Sequence, residues 1–565
     1  MKILLGIDYG TGGCKVTALG TDGSFAGEAS TEFPTHHDHP GWSEQDPQDW
    51  WDALKSSLGK LAAKGVDLQS IAACALDGST HNAVLLGSTG SDVLDGVLSD
   101  RSFRPVRRTI MWTDQRATAE CEALKAGWGE KIFSTCYQMP APTWTLPQLM
   151  WLKANEPDVL AKTEHVLFVK DYVRYLLTGV AATDYIEAQG TLMWAMPGTP
   201  GTTGTDGTTG STGRWDAELV ALSGLKMSVM PKIIAPIDIA GHVTAEAAAA
   251  TGLPVGLPVV CGSSDSAVED YGAGAVEPGD LIIKLATAGN VNSMTATAHP
   301  HPKTLTYSHI VPGMWYSVSA TNAAALCMRW LRDAFFQPVA GKTVKSPPSA
   351  ALNRSASPTF KSLNSPAAFK GCAAADLTIS RPKADLNLFS IIDAEASSSP
   401  VGANGIFFHP YLQGERCPYW DANLRASFTG VSISSTRCDF ARAVMEGVAF
   451  SLRDCYRTLE EMKLPVKRIF LIGGGARSGI WSEIVANVFN CEVAVPTPGD
   501  ASFGACLLAG TGIGIFSDVK DAVAKCLHID RTIVPDPSAA AKYDHLFTCY
   551  RRIHDALAPV YRPQR

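Results

Sequence analysis

Short apolar runs that end in glycine and small polar residues recur along this sequence. The first run, residues 2–6, is followed by Asp8 and a glycine-rich turn at 10–13, after which apolar residues resume. Similar runs occur at 71–76, 83–86, 259–261, 281–285 and 469–472. Segments with helical periodicity lie between them, at 50–61, 147–153 and 481–488. Buried strands that alternate with helices predict an α/β fold rather than a helical bundle or an all-β sandwich.

The chain has 565 residues, and a single hydrophobic core stops growing at roughly 250 to 300 residues. We therefore expect two domains, 1–253 and 254–545. The Pro- and Gly-rich stretch at 253–258 is typical of a hinge between domains.

The second half repeats a feature of the first, because residues 281–289 run from a strand into a Thr- and Gly-containing turn as residues 2–12 do. This likeness is compatible with a duplication. Two segments rich in Gly, Thr, Ser, Ala and Pro, 197–213 and about 338–402, lack the periodic apolar residues that a core needs. We expect both to be mobile surface insertions.

Charge and cysteine usage narrow the class of protein. A net charge of -7 and a pI near 6.0 remove the general basic field that nucleic-acid binding requires, so the expected partners are small molecules. The fourteen cysteines are scattered without a C-x-x-C pair, which favours reduced thiols and a cytoplasmic protein. No apolar run reaches the ~20 residues of a membrane span, so no membrane partner is expected. The oligomeric state stays open, with a homodimer as one candidate.

The first turn is a candidate phosphate site. Glycines such as Gly10 let backbone N–H groups approach phosphate oxygens, and Asp8 at the strand end is suited to hold Mg²⁺. Thr11 and Lys15 add a hydroxyl and a positive charge. A tight hairpin turn with a surface carboxylate explains the same residues, so the two interpretations stay open at this point.

A second glycine-rich junction follows the strand at 469–472. Three glycines at 473–475 lead into the helix at 481–488, a junction that is able to seat a nucleotide. Ser478 occupies the last glycine position of the dinucleotide pattern G-x-G-x-x-G, which disfavours a Rossmann dehydrogenase. A P-loop ending in Gly-Lys-Ser/Thr is not evident either.

Asp265 is a candidate general base. It follows the apolar run at 259–261, and Ser266 with Glu269 forms a capping-box pattern that predicts a helix starting just after Asp265. The helix dipole favours the ionised carboxylate there, which is able to accept a proton from an attacking hydroxyl. A simple helix cap is the alternative interpretation.

Two polar clusters are suited to bind sugar hydroxyls, which need converging polar groups on an apolar or aromatic wall. Residues 77–82 follow the strand at 71–76 and include a carboxylate, two hydroxyls and an imidazole. Residues 112–116 place a tryptophan, a carboxylate and a guanidinium within five positions. Taken singly, a tryptophan is more often part of the core, an Asp/Arg pair more often a solvated surface pair, and a histidine more often structural than ligand-binding.

Together these segments resemble the FGGY family of carbohydrate kinases, and within it the xylulose kinases. The most specific match is the family's C-terminal signature, formed by Ala426, Phe428, Gly430, Val431, Asp439, Phe440, Ala443, Val444, Met445 and Glu446. The loop 414–418, Gly-Glu-Arg-Cys-Pro, also resembles a family motif. The resemblance implies two ribonuclease-H-like, actin-like ATPase domains with a central cleft. It also implies that the first domain mainly binds sugar and the second mainly binds ATP.

The resemblance also implies roles for single residues. The metal residue is Asp8, for Mg²⁺, and the catalytic base is Asp265. The ATP- and phosphate-binding residues are Gly10, Thr11, Lys15, Thr287, Gly289, Gly474, Gly475 and Ala476. The sugar-binding residues are Thr80, His81, Trp112, Asp114, Arg116 and Asp265.

The implied reaction is ATP-dependent phosphorylation of a small ketose, with D-xylulose as the leading substrate. The chain departs from the usual xylulose-kinase sequence at 77–82, where it has Asp-Gly-Ser-Thr-His-Asn in place of Ser-Gly-Gln-Met-His-Gly. It also departs at 262–266, which reads Gly-Ser-Ser-Asp-Ser in place of Gly-Gly-Gly-Asp-Asn. Ribulose, rhamnulose, gluconate, glycerol and a tetritol therefore stay open as substrates. So does a non-catalytic actin-like sensor of nucleotide or sugar.

Overall fold

The computed structural model describes residues 2–88, 103–197, 213–336, 388–464 and 466–561. The strands are β1 (Ile3–Gly10), β2 (Gly13–Gly20), β3 (Phe25–Glu32), β4 (Glu44–Gln45), β5 (Ile71–Gly78), β6 (Ala83–Ser88), β7 (Phe103–Pro105), β8 (Thr109–Ile110), β9 (His165–Phe168), β10 (Ala182–Asp184), β11 (Trp194–Ala195), β12 (Arg214–Trp215), β13 (Lys232–Ile234), β14 (Ile239–His242), β15 (Pro258–Ser264), β16 (Asp280–Leu285), β17 (Gly289–Thr295), β18 (Leu305–Ser308), β19 (Trp315–Thr321), β20 (Phe407–His409), β21 (Ser427–Thr429), β22 (Arg468–Ile472), β23 (Val493–Pro496) and β24 (Ile529–Ile533).

The helices are α1 (Pro47–Ala63), α2 (Thr118–Cys136), α3 (Thr145–Asn155), α4 (Pro157–Ala161), α5 (Val169–Thr178), α6 (Tyr185–Gln189), α7 (Ala217–Leu222), α8 (Ala245–Thr251), α9 (Asp265–Gly272), α10 (Ala325–Leu331), α11 (Leu388–Ser398), α12 (Arg437–Glu461), α13 (Gly479–Phe489), α14 (Ala501–Gly512), α15 (Val519–Cys526) and α16 (Pro537–Tyr561).

Two large sheets share one strand arrangement. The first has the order β14-β15-β5-β1-β2-β3, and the second has the order β18-β19-β17-β16-β22-β23-β24. In the first sheet, β1, β2 and β3 form an antiparallel meander, and β5 and β15 run parallel to β1. In the second, β16, β17 and β19 form the meander, and β22 and β23 run parallel to β16. This is the ribonuclease-H-like arrangement in duplicate, which confirms the predicted α/β class.

Smaller sheets complete the structure: β7-β6-β9, β10-β13, β11-β12, β20-β21 and β4-β8. The predicted hairpin, the strands at 71–76, 83–86, 259–261, 281–285 and 469–472, and the helices at 50–61, 147–153 and 481–488 are all confirmed. Helix α1 begins after Asp46, whose side chain accepts a hydrogen bond from the Gln48 N–H, and it buries an apolar face that includes Trp50.

Elements from beyond the predicted division at 253/254 contribute to the first sheet. Strand β15 pairs with β5, and helix α14 packs on β1 and β5. The packing on β1 is close, because a Cβ at Gly6 would lie 1.8 Å from the Ser502 carbonyl oxygen. The first sheet therefore needs chain on both sides of that division. The division into a sugar-binding and an ATP-binding half stays a prediction.

The expectation of a mobile insertion at about 338–402 is wrong for its last part. Residues 388–398 form helix α11, which packs against α12 and buries Ile392 and Ala396. Short runs of apolar residues in this Ser- and Ala-rich segment were too few to reveal a helix by periodicity alone. Residues 338–387, like residues 198–212 of the other predicted insertion, lie outside the described residues.

Within the described ranges, none of the helices is long and apolar enough to cross a bilayer. Every cysteine in those ranges is free.

Candidate active site

Three parallel strands of the first sheet end in acidic residues at one edge. Asp8 lies near the end of β1 and is paired in register with Asp77 of β5, while Ser263 of β15 lies opposite Asp77. Asp265 follows β15 directly. Because the carboxyl ends of parallel strands meet at one edge, residues separated by more than 180 positions form one acidic cluster. Such an edge is where α/β sheets bind their ligands.

Asp265 is the first residue of α9 and contacts Thr80 of the polar loop 77–82. Its Oδ1 accepts hydrogen bonds from Thr80 Oγ1 at 3.1 Å and from the Ser266 N–H at 2.6 Å. Burial raises the pKa of Asp265, and the Lys284 ammonium and these hydrogen bonds oppose that rise. The predicted capping box is wrong, because α9 starts after Ser264 and Glu269 forms an ion pair with Lys284 instead.

Asp8 and Asp77 are suited to a cation. Burial raises the pKa of Asp8 to about 7 and also raises the pKa of Asp77. Both carboxylate oxygens of Asp77 are buried without a hydrogen-bond donor. In the described part of the chain, no group of three or more His, Cys, Asp or Glu residues is placed to hold a metal ion. Mg²⁺ in phosphoryl-transfer sites takes one or two carboxylates, and water and phosphate supply the rest, so this pair fits it.

Each large sheet presents a threonine at the tip of its first hairpin. Thr11 lies between β1 and β2, and Trp112 Nε1 donates to its Oγ1 at 3.2 Å. Thr287 lies between β16 and β17, and its Oγ1 accepts a hydrogen bond from Arg329 Nη2 at 2.8 Å. Arg329 was not singled out from the sequence, because only the packing of α10 against this tip reveals it.

Glycines border both tips. Gly10 precedes the first tip, where an added Cβ would lie in ordinary contact, 3.9 Å from the Gly13 carbonyl oxygen. Gly289 follows the second, where an added Cβ would lie 2.9 Å from Leu452 Cδ2 and from Thr321 Cγ2. Of these two glycines, only Gly289 lies where close packing leaves no room for a side chain.

Lys15 is held close to the first tip by two carboxylates. Its Nζ lies 2.6 Å from Asp500 Oδ2 and 2.7 Å from Glu28 Oε2. Asp500 also caps α14 by accepting from the Phe503 N–H. The sequence did not indicate Asp500 as a partner, because it lies 485 residues away.

His81 lies in a strained and buried position. Its φ is 57°, and its ring stacks on Trp144 with centroids 4.7 Å apart. Its backbone N–H donates to a Glu187 carboxylate oxygen. Burial lowers the pKa of His81 to about 4, so the imidazole is neutral at physiological pH. Its Nδ1 has no hydrogen-bond partner. A neutral ring nitrogen of this kind suits a sugar hydroxyl.

Asp114 and Arg116 form an ion pair with each other and connect the loop 112–116 to the segment 42–44. Arg116 Nη2 lies 2.8 Å from Asp114 Oδ2, and its Nη1 lies 2.7 Å from Glu44 Oε1. The guanidinium carbon lies 3.6 Å from the centroid of Trp42. Asp114 also accepts from the Ser43 N–H at 2.6 Å. These contacts hold the loop that carries Trp112. None of the contacts described for Asp114 and Arg116 is with Asp265.

The glycine-rich junction at 473–475 lies beside the second tip. Gly473 has φ 87°, and a Cβ there would lie 2.7 Å from the Leu285 carbonyl oxygen. At Gly475 a Cβ would meet Leu285 Cβ at 2.7 Å. Leu285 is two residues before Thr287, so Gly474, Gly475 and Ala476 border the same end of the second sheet as the tip.

Comparisons with known proteins agree with this geometry. The sequence model described as "FGGY family of carbohydrate kinases, N-terminal domain" matches residues 3–272, and that of the C-terminal domain matches residues 287–513. The chain belongs to the FGGY family of carbohydrate kinases.

Relatives of this carbohydrate kinase match along nearly its whole length. A xylulose kinase of Staphylococcus epidermidis is 27% identical over 558 residues, which cover 98% of this chain and 96% of the relative. A gluconokinase of Bacillus licheniformis is 23% identical over 562 residues, covering 99% and 96%. The crystal structure of a xylulose kinase from Rhodospirillum rubrum has a TM-score of 0.79 at 26% identity, covering 99% and 100%. The predicted two-domain actin-like fold is confirmed.

The Gly-Glu-Arg loop of this kinase packs beside the second tip. Glu415 is buried and accepts hydrogen bonds from Thr321 Oγ1 at 2.6 Å and from the Asn322 N–H at 2.9 Å. Thr321 is paired with Gly289, and the Ala324 N–H donates to the Thr287 carbonyl oxygen at 3.0 Å. The loop is therefore hydrogen-bonded to the strand end and turn that lie next to the second tip.

We expect Glu415→Gln to remove a pH dependence of stability. Burial raises the pKa of Glu415 to about 7 from 4.5. Between these values the folded state binds the proton more tightly than the unfolded state, so this residue lowers the stability of the wild type as pH rises from about 4.5 to 7. Urea denaturation of both proteins at pH 5 and pH 7.5 measures this. Between pH 5 and pH 7.5 the free energy of unfolding should fall more in the wild type than in the variant. An equal fall in both proteins would contradict the prediction.

Proposed function

We propose that this kinase transfers the γ-phosphoryl group of ATP to D-xylulose, giving D-xylulose 5-phosphate and ADP. The observation that carries the proposal is the position of Asp265, which follows a strand of the first sheet and touches Thr80 of the polar loop 77–82. The threonine tips of both sheets provide phosphate loops. The xylulose kinases that match over nearly the whole chain support the choice of sugar.

In the proposed reaction, Asp265 accepts the proton of the sugar hydroxyl as that oxygen attacks the γ-phosphorus. The bond between the γ-phosphorus and the bridging oxygen breaks, and ADP leaves. The buried Asp265 must be ionised to act, and Lys284 favours that form. When bound, Mg²⁺ would be held by Asp8, with Asp77 beside it, and would neutralise phosphate charge.

The remaining roles follow from position. Gly10, Thr11 and Lys15 would lie at the transferred phosphoryl group, and Thr287 and Gly289 at the other side of the triphosphate. Gly474, Gly475 and Ala476 would border the nucleotide. Thr80, His81 and Trp112 would contact the sugar, while Asp114 and Arg116 would hold the Trp112 loop in place.

We expect Arg329→Ala to raise the KM for ATP by about tenfold or more, because a charge-assisted contact at the second tip is worth about 1.5–3 kcal/mol. Its guanidinium touches Thr287 and would face phosphate oxygens. Steady-state kinetics at saturating sugar measure the effect. Arg332→Ala is the matched control, since Arg332 pairs with Asp333. An unchanged KM for ATP would remove Arg329 from the nucleotide site.

The rate of ADP release from Mg·ATP, measured with a panel of acceptors, tests which acceptor the kinase phosphorylates. The panel is D-xylulose, D-ribulose, L-ribulose, L-rhamnulose, D-gluconate, glycerol and erythritol, with a control that lacks sugar. Gluconate is the second candidate, because a gluconokinase matches over the same length. A dominant D-xylulose signal supports the proposal, and a dominant signal from any other acceptor overturns it.

A further inference from the structure

Helix α9 connects the two large sheets through hydrogen bonds and an ion pair. At its start, Asp265 continues from β15 of the first sheet and contacts Thr80. One turn later, Glu269 pairs with Lys284 of β16, and Asp270 accepts two hydrogen bonds from Asn292 Nδ2 of β17, both at 2.9 Å. The helix that carries the proposed base is therefore attached to the sheet that carries the second phosphate tip.

Lys284 occupies a special place in this arrangement. It lies three residues before Thr287, on the strand that leads into the tip, and its side chain is 27% exposed. Glu269 lies at position i+4 from Asp265, on the same face of α9. One ion pair thus connects the strand of the phosphate tip to the face of the helix that presents the base.

The charges around this pair are mostly negative. Asp8 of the first sheet and Asp500 at the start of α14 interact electrostatically with Glu269. Asp265 and Asp270, both of α9, interact in the same way with Lys284. Lys15 is already paired with Asp500 and Glu28. The Lys284 ammonium is therefore the cation that offsets the carboxylates of α9.

We propose that Lys284 is a positioning residue for phosphoryl transfer, which fixes Asp265 relative to the second phosphate tip through its ion pair with Glu269. The inference rests on the proposed role of Asp265 as the base. Lys284 positions Asp265 through Glu269 and the helix, and its charge also favours the ionised form of Asp265. Its loss therefore affects the base without removing a contact to sugar or nucleotide. A displacement of about 1 Å in such a site costs on the order of 10²-fold in rate.

The test compares Lys284→Met and Lys284→Arg in the full-length enzyme. We expect Lys284→Met to lower kcat by about tenfold or more while the KM values for sugar and ATP change less than about threefold. Lys284→Arg keeps the charge and should recover most of the lost kcat. Lys520→Met is the matched control, because Lys520 forms a half-exposed ion pair with Glu277. A folded Lys284→Met variant with wild-type kcat overturns the proposal.

A double variant, Lys284→Met with Glu269→Gln, covers the case in which an unpaired carboxylate prevents folding. Because both residues act through one pair, the double variant should have a kcat as low as that of the single variant and no lower. A double variant with wild-type kcat overturns the proposal. Asp265→Asn is measured in parallel: if it retains activity, the base assignment fails; if it alone is inactive, only the role of Lys284 fails.

Discussion

Asp265→Asn is expected to lower kcat by about two orders of magnitude or more, in the range of ~10²–10⁴ that a positioned acid or base contributes. The amide keeps the size of the side chain but is unable to take the proton of the sugar hydroxyl. The KM for ATP should change little, because the contacts of Asp265 are with Thr80 and Ser266. Single-turnover and steady-state assays with the acceptor found in the substrate panel measure the loss.

The control for this variant addresses the alternative that Asp265 only caps a helix. Asp216 is a helix cap, whose side chain accepts from the Glu218 and Leu219 N–H groups at the start of α7. Asp216→Asn should cost at most about 1 kcal/mol of stability and leave kcat unchanged. If Asp265→Asn behaves in the same way, the carboxylate is a cap and the proposed mechanism is wrong.

Gly262→Ala is expected to destabilise the fold by about 3 kcal/mol or more, because it combines backbone strain with a steric clash. Gly262 has φ +70°, at a register shift of β15, and a Cβ there would lie 1.6 Å from the Leu76 carbonyl oxygen. The clash lies between the strands that deliver Asp77 and Asp265 to the site. Urea denaturation and residual activity measure the loss of folded protein.

Gly256→Ala separates the two contributions. Gly256 has a similar φ of +76°, but an added Cβ meets nothing within 4 Å. It should therefore cost only the strain of a left-handed residue, about 1–2 kcal/mol. Equal stability of the two variants would contradict the close approach of β15 to β5.

Local patterns predicted the strands and helices of the site well. The apolar run and glycine turn at 2–13 fold as the β1–β2 hairpin, and the run at 281–285 folds as β16 with Thr287 at its tip. Helix starts were less certain, since Ser266 and Glu269 have the spacing of a capping box but the helix begins at Asp265. Glu269 instead takes the stronger partner that packing brings to it, the ammonium of Lys284.

Long-range pairing was the part that local patterns missed. The membership of β15 in the first sheet follows from hydrogen bonds to β5, nearly two hundred residues earlier. Likewise, the helical periodicity of α11 is short, and its packing against α12 and α13 stabilises it.

By itself the sequence determined the two-domain α/β class, the family, and the positions of Asp8, Thr11, Asp265 and Thr287. Each of these four residues lies close to the end of an apolar run, where the composition of a few neighbouring residues marks the boundary between strand and turn. The tertiary structure decided the partners: Arg329 for Thr287, Asp500 for Lys15, and Lys284 for Glu269. The partner of a charged side chain depends on how distant elements pack, and no local pattern carries that information.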